Sequence, residues 1–134
     1  MRELTDRDYQ TLASFRHALR VFTRFSDDAA RAAGVTPNQH QLLLAIRGAP
    51  GVHGPSIGDV ARSLQLQHHS VVELVDRAVE AGLVTRRVDE HDRRRHRLAL
   101  TAAGRRKLAG LTAAHRDELG RFRTQLSAAL DILD

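Results

Sequence analysis

The feature that most constrains this chain is a change of apolar period near residue 84. Before that point apolar side chains recur at helical steps; Val84, Arg86 and Val88, then His96, Leu98 and Leu100, alternate instead. Two short alternating runs flanked by helical patterns predict a two-stranded hairpin packed on helices, with Asp89–Arg94 as its connecting loop. The fold class expected is therefore mostly α with a small β-hairpin.

The helices around the hairpin follow from caps and breakers. No proline or glycine interrupts Asp6 to about Ala33, and Tyr9, Leu12, Phe15, Leu19 and Phe22 share one face, so a long first helix is predicted, with Gly34 closing it. Thr36-Pro37 starts a second helix through Leu42–Ile46, and residues 48–55 read as loop. Ser56 and Asp59 form a capping-box pattern opening a short third helix that ends near Leu64. A tight turn at Gln65-Leu66 leads to a fourth helix, about Gln67 to Ala81, stopped by Gly82. Thr101 caps a fifth helix, and Gly120 is expected to separate it from a sixth carrying Phe122, Leu126, Leu130 and Leu133.

Composition narrows the function classes. The 134 residues suit one domain, and 42% hydrophobic with 28% charged residues is the balance of a folded chain. With no cysteine, disulfides, thiolate metal sites and thiol redox sensing are excluded. The longest apolar run, Leu42 to Ile46, is too short to span a membrane, and the mixed-charge start at Met1–Asp6 lacks a secretory pattern. The expected address is the cytoplasm, with no membrane partner.

Charge is segregated. Residues 51–85 hold two arginines against four acids, net −2, whereas residues 86–107 hold nine cations against three acids, net +6. Twenty of the 21 cationic side chains are arginine, a bias that a GC-rich genome also produces. Concentrated in one segment, arginine forks suit phosphate oxygens and point to a polyanion, nucleic acid first.

The order short helix, tight turn, helix, basic hairpin is that of a winged helix-turn-helix, whose second helix enters the major groove. In wording as well as order the chain resembles the MarR family of bacterial transcription regulators. The matching text is Thr36-Pro37 with Leu42–Ile46; Ile57-Gly58-Asp59-Val60-Ala61; Leu74-Val75-Asp76-Arg77; Glu80-Ala81-Gly82-Leu83-Val84; Asp89 with Asp92-Arg93-Arg94; and Leu98-Ala99-Leu100-Thr101-Ala102-Ala103-Gly104. The resemblance spans roughly residues 10 to 130 and is most specific in the wing. It implies a dimeric MarR-like architecture in one domain, 1–134, with about 1–34 and 102–134 as dimerisation helices and about 36–101 as the DNA-binding lobe. It further implies a homodimer on double-stranded DNA at a pseudo-palindromic operator, mostly as a repressor. Many such regulators are released by a small aromatic or phenolic effector bound between the dimer helices and the DNA-binding lobe. No cofactor is implied.

On that basis the recognition-helix candidates are Gln67, His68, His69, Ser70, Glu73 and Arg77, and the wing candidates are Arg86, Arg93, Arg94, Arg95 and Arg97. Arg93 or Arg94 is expected to reach the groove while Asp92 pins a neighbouring guanidinium; Arg95 and Arg97 are expected on phosphates. The family often carries Ser or Thr at the start of this helix and a basic residue near Glu73, so this chain departs from it. Gln67 is a poor N-cap, and Glu73 either accepts from a cytosine N4 or pairs with Arg77 one turn on. If His68 and His69 face phosphate, DNA binding tightens as pH falls through about 6.5.

The expected effector pocket, where the dimer helices meet the second helix, comprises Phe15, Leu19, Phe22, Gln39, His40 and Leu111, each of which also reads as core or dimer contact. Two other readings stand beside the regulator. One is a winged helix used only as a protein-interaction module, and the other a histidine-based metal-responsive regulator, since eight histidines are many for this length. No metal-ligand spacing supports the latter, and no nucleophile, phosphate-loop or metalloprotease motif supports an enzyme.

Overall fold

Five helices and one hairpin make up the computed structural model, which describes residues 2–133: α1 Asp6–Ala32, α2 Pro37–Arg47, α3 Ile57–Leu64, α4 His68–Glu80, β1 Val84–Val88, β2 His96–Leu100 and α5 Ala102–Asp131. Side-chain caps open most of the helices. Thr5, Thr36 and Ser56 each accept from the N–H three residues on, and Asp8, Gln39 and Asp59 answer from their side chains. Gln65 takes the left-handed conformation at the C-cap of α3, with φ 55°, and reverses the chain into α4.

One expectation is corrected. Gly120 does not end a helix; α5 runs unbroken for 30 residues. A mid-helix glycine costs about 1 kcal/mol relative to alanine. Here Phe122, stacked on Phe15 and Phe22 of α1 at 5.8 and 5.6 Å, holds the helix in register beyond the glycine.

α1 and α5 pack along each other as an arm, and the remaining elements form a lobe. The lobe's core is Leu42 and Leu43 from α2, Val60 from α3, Val71 and Val75 from α4, Val84 from β1 and Leu98 from β2, all fully buried. β1 and β2 pair antiparallel in the register Val84↔Leu100, Arg86↔Leu98, Val88↔His96. A further backbone link ties the sheet to the α2–α3 loop, as Leu98 N–H donates to the Pro55 carbonyl at 2.9 Å.

Two close approaches seat the hairpin. Thr101 Oγ1 donates to the Gly82 carbonyl at 2.6 Å and accepts from the Gly104 N–H at 3.0 Å, so one hydroxyl joins the end of α4 to the start of α5. Gly104 lies against the Leu83 carbonyl so tightly that a Cβ there would overlap it. Leu-Thr-x-x-Gly is thus a joint: a cap, and a gap for the passing chain.

Candidate nucleic-acid interface

Of the recognition-helix candidates, Gln67 is the N-cap of α4 and the other five lie along it. Val71, Val75 and Ala78 are buried, while Gln67, His68, His69, Glu73 and Arg77 are exposed and Ser70 is half-buried. Gln67 occupies the N-cap in extended conformation without a side-chain bond, yet the helix begins regularly, with Val71 N–H donating to the Gln67 carbonyl at 3.1 Å. The uncapped first-turn N–H groups suit a phosphate. Among the described residues Glu73 makes no ion pair, with Arg77 or any other cation, so its carboxylate faces solvent.

The five wing arginines are not equivalent. Arg86 is held by Asp76 of α4 at 2.7 Å, which ties β1 to the recognition helix. Arg97 donates to Asp89 at 2.7 Å and to the Gly54 carbonyl at 3.1 Å, bracing the wing on the α2–α3 loop. Arg95 lies near the start of α3, 3.4 Å from Ser56 Oγ. Arg94 pairs with Asp92 at 3.2 Å while remaining almost wholly exposed, and Arg93 is exposed with no partner among the described residues. Of the five candidates the wing therefore turns Arg93 and Arg94 outward, holds Arg86 and Arg97 at its base, and leaves Arg95 exposed beside Ser56.

Asp89 organises that loop. It accepts from the backbone N–H groups of His91 (2.7 Å) and Asp92 (3.1 Å) as well as from Arg97. The His91 N–H, then Arg97, then the Asp92 N–H favour the carboxylate and bring its pKa down to about 2. At the start of α3 the Ser56 N–H, with Arg62 and Arg95 adding charge, likewise lowers Asp59.

The six effector-pocket candidates are placed differently from one another. Phe15 and Phe22 stack on Phe122, Gln39 is committed to capping the Thr36 N–H at 2.9 Å, and Leu19 is half-buried. His40 and Leu111 are buried. An open apolar groove of about 750 Å³ between α1 and α5 is lined by Phe25, Ala29, Ala33, Lys107 and Leu111 among others; of the six, only Leu111 takes part.

His40 neighbours His115 of α5, with ring centroids 5.1 Å apart. His115 bonds the Leu111 carbonyl through Nδ1 at 2.6 Å and is flanked edge-on by Phe22 and Phe25. Among the described residues, His40 Nδ1 and His115 Nε2 are buried without a partner. Burial and the neighbouring His115 lower the His40 pKa, with Asp27 opposing them. His115 was missed in the sequence, although it continues the Leu108–Leu111 stripe of α5 at helical spacing. No group of three or more His, Cys, Asp or Glu among the described residues is placed to hold a metal, and no helix is long and apolar enough to cross a membrane.

Comparison with known proteins agrees with the fold. Residues 33–95 match the family model described as MarR family. The chain is 30% identical over 114 residues, 85% of its own length and 67% of the relative's, to a transcriptional regulatory protein for the hcr operon of Thauera aromatica. It is 34% identical over 77 residues, 58% of its length and 44% of the relative's, to the transcriptional activatory protein BadR of Rhodopseudomonas palustris. The crystal structure of the Staphylococcus aureus MepR–DNA complex superposes with a TM-score of 0.72 at 22% identity, covering 92% of this chain and 85% of that one.

Proposed function

This chain belongs to the MarR family of transcription regulators, and from that premise we propose that it binds double-stranded DNA sequence-specifically as a homodimer. The observation that carries this reading is the division of the wing arginines. Arg86 and Arg97 tie the wing to the lobe, which leaves Arg93 and Arg94 projecting from a loop pre-shaped by Asp89. The exposed side of α4 would enter the major groove, where Gln67 suits adenine, His68 and His69 offer donors, and Glu73 suits cytosine N4. Ser70 and Arg77 flank those contacts, and electrostatic affinity comes chiefly from the wing. The MepR–DNA complex lends the fold a DNA-bound precedent.

Residues of about 1–34 and 102–134 are proposed as the dimer arm and about 36–101 as the DNA-binding lobe. Exposed Tyr9, Val21, Leu119, Leu126 and Leu130 along α1 and α5 support this, being large apolar side chains without cover in one chain. Two copies would meet half-sites about 10 bp apart on a pseudo-palindromic operator. We assign repression as its mode, acting by occlusion. The relative named as an activator makes the sign of regulation the first thing a transcription assay should read. A small aromatic or phenolic effector is proposed at the junction of α1, α2 and α5, on the strength of the apolar groove and the neighbouring aromatic–histidine cluster.

The test is fluorescence-anisotropy binding to a duplex from upstream of the chain's own gene and to a scrambled duplex, over a salt series. The expected preference is about 1,000-fold or more, with log K falling by about five per log unit of salt for some six phosphate contacts per dimer. Equal, salt-sensitive binding to the two, repeated on genomically selected duplexes, sinks sequence specificity. No binding even at low salt sinks the DNA reading and favours a protein-interaction module.

A further inference from the structure

Three arginines absent from the DNA-contact set converge at the foot of the wing. Arg47 at the end of α2, Arg87 of β1 and Arg105 in α5 line one recess of about 310 Å³ with His53. Its remaining walls are Ile46, the α2–α3 loop and Leu98–Leu100 of β2, and no acidic residue lines it. None of these arginines makes an ion pair among the described residues, whereas Arg86, Arg94 and Arg97 nearby all do.

Two of these placements are electrostatically unfavourable without an anion. Arg105 lies at the N-terminal end of α5, whose first turn carries no acid, so its charge opposes the helix dipole. Arg87 stands directly across the ladder from Arg97. Like charges so placed destabilise a sheet; Asp89 pairs with Arg97 and, with Glu90, lines the neighbouring recess that Arg87 and His53 share, which offsets part of that repulsion. Arg47 then adds a third cation to the same hollow. The recess is also built into the fold, because Gly54 packs so closely on the Leu98 carbonyl that a Cβ there would overlap it.

We infer that this recess binds a multiply charged small anion of the phosphate type. Guanidinium forks match tetrahedral oxyanions, and three of them balance a polyphosphate or phosphorylated metabolite. Side chains alternate across a strand, so Arg87 points to the opposite face of the hairpin from Arg86, which is tied to α4. The recess thus opens away from the recognition helix, favouring a free anion over the phosphates of the duplex that α4 reads.

The experiment uses the full chain and inorganic pyrophosphate, titrated calorimetrically at constant ionic strength without DNA. Saturable binding is expected, weakened roughly ten-fold or more in the Arg47→Gln, Arg87→Gln, Arg105→Gln triple variant. It should be little changed when three arginines of the arm, Arg16, Arg20 and Arg116, are replaced by Gln instead. The unliganded triple variant is expected to melt no lower than the parent, since like-charge repulsion is removed, and to lose the pyrophosphate-induced rise in Tm. If a DNA phosphate is the ligand instead, pyrophosphate fails to saturate and the triple variant lowers the salt slope of DNA binding by about one per lost contact. That result keeps the oxyanion chemistry and overturns the free anion. Neither effect, or equal loss in the arm variant, overturns the site. Because the calorimetric arm contains no DNA, its outcome is independent of whether an operator is recognised.

Discussion

Arg97 and Asp89 meet at 2.7 Å near the base of the wing, and the same guanidinium reaches the Gly54 carbonyl at 3.1 Å. One side chain thereby links the hairpin, the wing loop and the α2–α3 loop. Arg97→Gln removes that link while leaving the fold's apolar core intact. The amides of His91 and Asp92, which donate to Asp89, should then exchange roughly ten-fold faster or more. Unchanged protection at these two amides would show that Asp89 holds the loop without Arg97.

The two outward arginines and the engaged Arg86 should separate in a salt series. Arg93→Ala and Arg94→Ala are each expected to weaken DNA binding across sequences and lower the salt slope by about one. Arg86→Ala should leave the slope unchanged, because its partner is Asp76. Any loss of affinity there would come through the placement of α4. Equal slopes for all three variants would contradict this division.

His40 should couple stability to pH. Its folded pKa lies below the ordinary histidine value, chiefly through burial and then through His115, so the unfolded chain binds its proton more readily. The contribution of neutral His40 is complete above about 6.5, declines as pH falls below it, and is lost once pH passes through the depressed folded value. Denaturant midpoints measured between pH 7.5 and 4.5 should fall less steeply for His40→Leu than for the parent. Parallel slopes would place the coupling elsewhere.

Two glycines of one helix should respond oppositely to the same substitution. Gly104→Ala drives a Cβ into the Leu83 carbonyl and should cost about 1–3 kcal/mol. Gly120→Ala meets nothing within 4 Å and should stabilise by about 1 kcal/mol. Urea unfolding of both variants against the parent checks the pair. Loss of stability at Gly120 would mean that a partner chain packs there.

The element order was legible because local chemistry writes it. Thr36-Pro37, the Ser56–Asp59 box and Thr101 cap helices through bonds within three residues, and the two-residue alternation of the hairpin is visible without any distant contact. Gly120 misled for the same reason: a breaker signal is local, whereas the stacking of Phe122 on Phe15 and Phe22 that overrides it spans the arm.

By itself the sequence determined the winged helix-turn-helix order, the exposed polar side of α4 and the cationic character of the wing, since each depends on neighbours along the chain. Only the tertiary structure decided which arginines are engaged and which are open. Asp76, Asp89 and the Gly54 carbonyl reach Arg86 and Arg97 across separate segments. It alone brought His40 against His115 and gathered Arg47, Arg87 and Arg105 around one hollow. Charge pairing depends on distance in space, and a chain carrying twenty arginines does not reveal in its order which carboxylates will lie within reach.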